Sequence, residues 1–362
     1  MTIVYQGDIA FSRFLNSSGT PEKKLPDWAE QPTTLLNYYR QMVLSRQFDY
    51  KAVSLQRTGQ LGTYPSLLGS EAIDVVTASL MHSNDVLIPY YRNAAMQMIR
   101  GVDMSEILLY WGGDEIGSAT PGMGEDFPNC VPIATQALHA CGVASAFRIK
   151  GEARAAVTLC GDGATSKGDF LEALNVAGAW QLPVVFIVNN NQWAISVPRA
   201  IQCGAPTLAQ KAIGAGIRGE QVDGNDPIAM HESVSVALER AREGKGPSLI
   251  EAISYRLSDH TTADDASRYR ADEELQEAWQ HEPVKRLREF LVSQDWWGDE
   301  QEQALLADCE QQIDIAVERY RNTPPQAATT IIDYLYAELP DSLYDQRAIL
   351  AERTLPGGDD HE

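Results

Sequence analysis

Two polar residues, Asp162 and Asn191, each follow a run of apolar residues. The first run spans residues 155–160 and the second spans residues 184–188, and both have the length and the β-branched content of buried strands. A carboxylate and an amide oxygen, with little other charge nearby, form a hard-oxygen site that suits Mg²⁺ when the ion shares its shell with a diphosphate. The two residues therefore predict a magnesium site, provided that the fold brings them together.

The segment between these residues predicts how they are positioned. A helix is expected from about Asp169 to Trp180, because apolar residues recur there on one face. A strand, a helix and a strand form a right-handed crossover with parallel strands, and ligands bind such sheets beyond the carboxyl ends of the strands. Gly161 and Gly163 would let the backbone approach a diphosphate, and amides at the start of the next helix could donate to it.

Gly-Asp-Gly by itself indicates only a turn, so the surrounding pattern matters. The third glycine of a dinucleotide-binding fingerprint is absent, because Ser166 stands there, and no Walker A lysine pattern fits. GDG followed by a helix, a buried strand and the asparagines at 189–191 is far more specific. It resembles the thiamine diphosphate motif, and GDGATSKGDFLEALNVAGAW and NNNQWAIS are similar to the α subunit (E1α) of the E1 components of 2-oxo acid dehydrogenase complexes.

The resemblance runs from near residue 33 to about residue 350 and implies roles for particular residues. Mg²⁺ would be held by Asp162, by the Asn191 side chain and by the Trp193 carbonyl. His260 and Arg256 would have catalytic roles. The cofactor-binding residues implied are Tyr91, Arg92, Ile133, Asp162, Gly163, Ala164, Asn191, Trp193, Ile195, Arg256 and His260.

Tyr91 and Arg92 lie in PYYRNAAMQMIRG, which matches E1α closely. By that resemblance they reach the diphosphate, and a guanidinium offers a fixed fork of donors that suits phosphate. An ordinary surface arginine is the alternative interpretation of Arg92.

The sequence PIATQ, residues 132–136, is similar to the turn of the family that faces the aminopyrimidine ring. The resemblance implies that Ile133 contacts the cofactor through its backbone and that Thr135 and Gln136 line a monovalent-cation site. A helix of small residues follows, and His139 within it is expected to be packed in the core rather than to be a ligand.

The polar segment 256–270, RLSDHTTADDASRYR, follows a strand expected over residues 247–255. Composition alone allows a mobile loop that closes over an active site or a solvated surface loop. The resemblance favours the first, since in E1α the histidine and arginine of this loop approach the diphosphate and the substrate channel. An imidazole titrates near neutrality, so His260 is expected to order the loop or to assist proton movement.

Composition excludes several classes of protein. The net charge of −21 argues against non-specific nucleic-acid binding. No run of about 18 apolar residues predicts a membrane span, and the N-terminus shows no signal peptide. The five cysteines are scattered and include no CxxC, so neither a disulfide framework nor a zinc site is indicated, and a cytoplasmic location is expected.

The expected architecture is an α/β thiamine-diphosphate-binding fold, with a mostly parallel sheet flanked by helices on both faces and a helical C-terminal region. We predict an N-terminal arm over residues 1–32, the diphosphate-binding domain over residues 33–270, and a helical region over residues 271–362 packed on the same domain. For the arm, wrapping of a partner and disorder are both open.

The function implied by the resemblance is that of an E1α subunit, which acts with an E1β subunit in an α2β2 heterotetramer. Together they would decarboxylate a 2-oxo acid oxidatively with thiamine diphosphate and pass the acyl group to the lipoyl group of an E2 core. The glutamate that activates the cofactor belongs to the β subunit in this family, and no second cofactor-like domain is visible in this chain.

The choice of substrate is divided between two parts of the family. SLQRTGQLGTYPSLLG and TLAQKA resemble bacterial pyruvate dehydrogenase, whereas PIATQ, TTADDASRYR and SQDWWGDEQE are similar to branched-chain enzymes. Pyruvate is favoured, with 3-methyl-2-oxobutanoate as the alternative. A non-catalytic partner that keeps the fold, and an NAD-binding oxidoreductase, are the alternatives from other classes; intact Asp162, Asn191 and His260 oppose the first, and the missing GxGxxG opposes the second.

Overall fold

The computed structural model describes residues 2, 4, 7–118 and 121–352. The end of the predicted C-terminal region, residues 353–362, lies outside the described residues, as do four residues of the predicted arm. The chain divides into two compact units, Met1–Val317 and Glu318–Glu362, and the predicted domain boundaries at residues 32 and 270 stay predictions. No helix in the described part of the chain is long and apolar enough to cross a membrane.

A six-stranded sheet lies in the first unit, in the order β1-β7-β8-β4-β3-β2, and every neighbouring pair is parallel. The other two strands, β5 and β6, form a short antiparallel hairpin. The strands are β1 (Phe11–Ser12), β2 (Val86–Ile88), β3 (Ala156–Gly161), β4 (Val184–Asn190), β5 (Trp193–Ala194), β6 (Val197–Pro198), β7 (Arg218–Asp223) and β8 (Ser248–Ile253).

The helices that flank this sheet follow the apolar periodicity of the sequence. Those of the first unit are α1 (Pro32–Arg57), α2 (Glu71–Leu80), α3 (Ala94–Ile99), α4 (Met104–Gly112), α5 (Thr135–Lys150), α6 (Gly168–Trp180), α7 (Arg199–Gln202), α8 (Lys211–Ala215), α9 (Pro227–Arg242), α10 (Asp272–Gln280) and α11 (Pro283–Ser293). Helix α12 (Asp299–Asn322) runs across the unit boundary, and the second unit contains α13 (Thr330–Asp333) and α14 (Asp341–Glu352).

Helices cover both faces of the sheet, so the predicted α/β fold is confirmed. Helices α5, α6 and α8 pack against one face, whereas α9 packs against the other and α2 packs on α9. Successive strand residues point to opposite faces, so Phe186 of β4 meets Phe170 of α6 in the core on the first side.

The small residues of α5 allow it to lie close to α6, with Ala137, Ala140 and Ala144 buried in the shared core. His139 is exposed, and the prediction that it packs in the core is wrong. The physical reason is the helical period, which turns a residue two positions after Ala137 to the opposite side of the helix.

The N-terminal arm contributes the edge strand β1, which pairs in parallel with β7. The Asp226 carboxylate caps the start of α9 and also accepts hydrogen bonds from the backbone N–H groups of Phe14 (2.6 Å) and Leu15 (2.8 Å). Leu15 is fully buried. This stretch of the arm is therefore part of the sheet and not disordered.

Candidate active site

A cavity of about 230 Å³ lies beyond the carboxyl ends of β3 and β4. The parallel register pairs Gly161 with Asn189, so Asp162 and Asn191 emerge side by side at this edge, as the crossover predicted. All but one of the cofactor-binding residues suggested by the sequence line the cavity, namely Tyr91, Arg92, Ile133, Asp162, Gly163, Ala164, Asn191, Trp193, Ile195 and His260. The exception is Arg256, which lies behind the wall.

Asp162 begins a single turn of 3₁₀ helix, Asp162–Ser166, and its side chain is buried. Neither carboxylate oxygen accepts a hydrogen bond from a described side chain or a well-aligned amide. Burial raises the pKa of this carboxyl to about 6, although its own amide and the charges of Arg256 and Arg199 oppose the rise. A buried carboxylate is normally neutralised by partners, so this one is suited to a cation.

The segment after β4 holds the second predicted metal ligand. The Trp193 N–H donates to the Asn191 side-chain oxygen at 3.2 Å. Two non-glycine residues here have left-handed backbone angles, Gln192 at φ 71° and Ile195 at φ 56°. Left-handed geometry is strongly disfavoured for a β-branched residue such as Ile195, so the surrounding contacts must hold this turn in place.

The two positions that flank Asp162 require glycine for different structural reasons. A Cβ atom on Gly163 would lie 2.8 Å from the Ala194 Cβ, so β5 can pack on the 3₁₀ turn only if residue 163 is glycine. A Cβ atom on Gly161 would meet no atom within 4 Å, because this residue faces the cavity. Gly161 therefore leaves the space in which a ligand group can approach the backbone.

Arg92, which is buried, and His260, which is half-buried, form a pair on the cavity wall. The Arg92 Nη2 donates to the His260 Nδ1 at 2.9 Å and to the His260 carbonyl at 2.6 Å, and its Nη1 donates to the Ser66 carbonyl at 2.7 Å. A guanidinium only donates, so the His260 Nδ1 must accept and the imidazole proton lies on Nε2. Burial, together with the charges of Arg92 and Arg256, lowers the pKa of His260 to about 3. The expectation that His260 titrates near neutrality is therefore wrong for this arrangement.

The neutral state of His260 is testable by NMR of the cofactor-free protein. We expect its imidazole to stay neutral from pH 8 down to about pH 5, against an ordinary midpoint of about 6.5, and a His260→Gln variant would assign the signal. Below about pH 6.5 the unfolded chain gains a proton at His260 that the folded chain does not bind, so acid lowers the free energy of unfolding of the native protein. The His260→Gln variant lacks this effect, so between about pH 6.5 and pH 3 it should lose less stability than the native protein does. A midpoint between pH 6 and 7 for the His260 signal would contradict the assignment.

Arg256 does not line the cavity, and it holds the turn that does. Its side chain is almost fully buried; Nη2 donates to the Ile195 carbonyl at 2.9 Å and to the Tyr269 hydroxyl at 2.7 Å, and Nη1 lies 3.4 Å from the Trp193 carbonyl. Burial and the neighbouring charge of Arg92 lower the pKa of Arg256, and the guanidinium remains charged. Its position supports the left-handed turn at residues 192–195, whereas its predicted contact with the cofactor stays a prediction.

A support behind Arg92 was missed from the sequence. The Asp49 carboxylate of α1 accepts hydrogen bonds from the Ser66 hydroxyl (2.6 Å) and from the Leu67 N–H (2.8 Å), which orients the Ser66 carbonyl that receives Arg92. Asp49 is fully buried, and burial raises its pKa to about 6. The available signal was an aspartate next to Phe48 on the apolar face of a helical pattern.

The charges around the cavity suit a ligand that carries both signs. Asp162 supplies the unpartnered negative charge, and Arg92, supported by Arg256 behind the wall, supplies the positive charge. No carboxylate among the described residues lies within ion-pair distance of Arg92. A phosphate group bound to a divalent cation carries both signs, and it would suit a cavity that presents an unpartnered carboxylate and a guanidinium.

The similarity of this chain to known proteins extends over almost its whole length. A family model described as "Dehydrogenase E1 component" matches residues 39–329. The 3-methyl-2-oxobutanoate dehydrogenase subunit alpha of Mycobacterium tuberculosis is 38% identical over 341 residues, which cover 94% of this chain and 93% of the relative.

Two pyruvate dehydrogenase E1 component alpha subunits are similarly related. That of Staphylococcus aureus is 35% identical over 340 residues, with coverage of 93% and 91%. That of Mycoplasma genitalium is 38% identical over 315 residues, with coverage of 87% and 88%. The stretch matched by the family model contains every residue that lines the cavity.

Proposed function

The chain belongs to the dehydrogenase E1 component family, and we propose that it is the α subunit of a 2-oxo acid dehydrogenase that acts on pyruvate. With a β subunit it carries out oxidative decarboxylation that depends on thiamine diphosphate, and the acyl group passes to the lipoyl group of an E2 core. The observation that carries this proposal is the buried, unpartnered carboxylate of Asp162, in a cavity that Arg92 and His260 also line.

The residues present fit Mg²⁺. Asp162 offers two buried oxygens that accept no well-aligned hydrogen bond from the described residues, and the nearby Asn191 amide and Trp193 carbonyl add neutral oxygens. Mg²⁺ typically binds few protein oxygens and little protein charge when phosphate oxygens and water complete its coordination shell. Asp162, Asn191 and Trp193 would therefore hold the ion.

The same cavity fits the diphosphate of thiamine diphosphate. Arg92 is held by three hydrogen bonds to protein acceptors, so its guanidinium is positioned before any ligand arrives. Gly161 leaves its backbone open to the cavity, and Ala164 and Ile195 complete the wall. When bound, the cofactor supplies the electron sink for decarboxylation, and the residues of this chain supply position and charge.

A monovalent cation is part of this proposal, at Thr135 and Gln136. The Gln136 side chain is buried, and its amide N–H donates to the Leu159 carbonyl at 2.9 Å. The Gln136 side-chain oxygen is buried without a described partner, so it is available to accept a cation. A cytoplasmic location is likewise part of the proposal.

The mouth of the cavity supports a partner subunit. Val131, Ile133 and Ile195 line the cavity and remain exposed by 48%, 43% and 55%. Large apolar side chains grouped at the opening of a binding site are typical of a surface that another protein covers. We infer that the β subunit closes this side, within an α2β2 heterotetramer, and brings the glutamate that activates the cofactor, since no glutamate is among the described residues that line the cavity.

The branched-chain alternative remains a specific competitor, since relatives of both kinds match at nearly equal identity. These substrates differ only in the size of the side chain, and a methylene or two in an apolar pocket is worth about 1–3 kcal/mol.

The experiment that tests the proposal is a steady-state assay of the chain, alone and co-expressed with its cognate β subunit, using an artificial electron acceptor. We expect no turnover from the chain alone, and kcat/KM for pyruvate at least about tenfold above that for 3-methyl-2-oxobutanoate or 2-oxobutanoate. A reversed ratio would assign the branched-chain activity and leave the site unchanged. Turnover by protein free of β subunit would refute the shared active site, and a complex that binds no thiamine diphosphate would refute the function.

A further inference from the structure

The indole of Trp193 is held by residues outside the cavity. Its Nε1–H lies 3.1 Å from the Tyr255 hydroxyl and 3.3 Å from the Glu274 Oε1, and the Tyr255 hydroxyl donates to the same Glu274 oxygen at 2.7 Å. One carboxylate oxygen therefore receives an N–H and an O–H. Hydrogen bonds to an ionised acceptor are roughly twice as strong as those between neutral groups.

This contact joins three separate segments of the chain. Trp193 belongs to the turn beside Asn191, Tyr255 follows β8, and Glu274 lies in the first turn of α10. A carboxylate is favoured in the first turn of a helix, because the helix dipole places positive charge there. Helix α10 thus places an anion beside the Trp193 indole.

Two separate contacts restrain the turn. Arg256 donates to the Ile195 carbonyl, and Glu274 accepts from the Trp193 indole. The same turn contains Gln192 and Ile195, both with left-handed backbone angles. The indole and the carbonyl belong to the same residue, so an indole fixed by hydrogen bonds limits the movement of the Trp193 backbone and therefore of its carbonyl.

We propose that Glu274 is a positioning residue for the cofactor site, acting through Trp193 and Tyr255 without touching metal or cofactor. This inference rests on the proposed function, since the Trp193 carbonyl matters only if the cavity holds the metal-bound cofactor. Loss of Glu274 would leave the cavity wall chemically intact and loosen the Trp193 carbonyl, which would hold the metal. The predicted effect is therefore on cofactor affinity rather than on the fold.

The test measures thiamine diphosphate binding to the complex of this chain with its β subunit, at fixed Mg²⁺, by calorimetry. Glu274→Ala should raise Kd about tenfold, as expected for the loss of charge-assisted hydrogen bonds at a partly exposed site. Glu274→Gln keeps an acceptor oxygen and should restore part of the affinity. The matched control is Glu277→Ala, which removes the same charge from the same exposed helix and should change Kd less than twofold.

A second variant separates positioning from general stability. Trp193→Phe keeps an aromatic ring and removes the indole N–H. If both residues act through one interaction, Glu274→Ala in the Trp193→Phe background should raise Kd less than about twofold further. The melting temperature of each cofactor-free variant should stay near that of the native complex.

The inference is overturned if Glu274→Ala binds like Glu277→Ala, if its effect multiplies with that of Trp193→Phe, or if affinity falls only together with the cofactor-free melting temperature. A native complex that binds no thiamine diphosphate would instead refute the proposed function.

Discussion

Replacing Asp162 with asparagine is expected to weaken Mg²⁺-dependent binding of thiamine diphosphate at least about 100-fold, with a similar loss of activity. Mutation of residues that merely orient metal ligands typically lowers metal affinity or activity about 10–100-fold, so loss of the single charged ligand should lower the affinity at least as much. The asparagine side chain keeps the shape and removes the charge. Calorimetry of the complex with the β subunit, with and without Mg²⁺, measures the effect, and binding within fivefold of the native complex would exclude Asp162 as a ligand.

The same substitution should stabilise the cofactor-free protein. Burial raises the pKa of Asp162 from 3.8 to about 6, which corresponds to a cost of about 3 kcal/mol at neutral pH. The folded state binds the proton more tightly than the unfolded state, so this cost is absent below about pH 4, grows up to about pH 6 and is constant above. We therefore expect Asp162→Asn to raise the melting temperature by several degrees at pH 7 and by almost nothing at pH 4.

A matched control uses another buried aspartate near a strand end. Asp223 pairs with the buried Arg286 at 2.6 Å, and its carboxylate also accepts from the Asn225 N–H. Asp223→Asn removes a charge that has a partner and leaves Arg286 buried without one, so it should lower the melting temperature. If Asp162→Asn lowered the melting temperature as Asp223→Asn does, the unpartnered state of Asp162 would be refuted.

Replacing Arg92 with lysine is expected to reduce thiamine diphosphate affinity about 100-fold, although the charge is kept. The lysine ammonium cannot reproduce the fork that contacts the Ser66 carbonyl, the His260 Nδ1 and the His260 carbonyl together, so both the phosphate donor and the loop would be less well held. Binding is measured by calorimetry of the complex, and the NMR signal of His260 reports whether its pKa rises as the guanidinium is lost.

The control for this substitution is Arg100→Lys. Arg100 is half-buried and also makes several hydrogen bonds, to Asp126 and to the carbonyls of His82 and Asp85, but it does not line the cavity. This variant should lower stability and leave the cofactor affinity within twofold. Arg92→Lys binding as tightly as Arg100→Lys would show that Arg92 only supports the loop.

The principal elements of the site could be predicted because they are local in sequence. The apolar runs before Asp162 and Asn191, and the helix between them, require a parallel crossover, and a parallel crossover places both strand ends at one edge. The resemblance added Arg92 and His260, which are far from Asp162 in sequence and whose pattern alone is that of an ordinary loop.

Other features depended on contacts that no local pattern encodes. The sequence shows a histidine with an ordinary pKa at residue 260, and only the approach of Arg92 and Arg256 makes it neutral with its proton on Nε2. Likewise, Arg256 reaches the Trp193 carbonyl from behind the wall although the two residues are 63 positions apart. Trp193 also donates to Glu274, which is 81 positions away.

The sequence by itself thus determined the parallel direction of β3 and β4 and the edge at which ligand residues gather, because strand and helix periodicity are properties of neighbouring residues. The tertiary structure alone decided the charge state of His260, the missing partner of Asp162 and the supports at Asp49 and Glu274. The physical reason is that burial and the nearness of other charges set these properties, and both arise only when distant segments pack together.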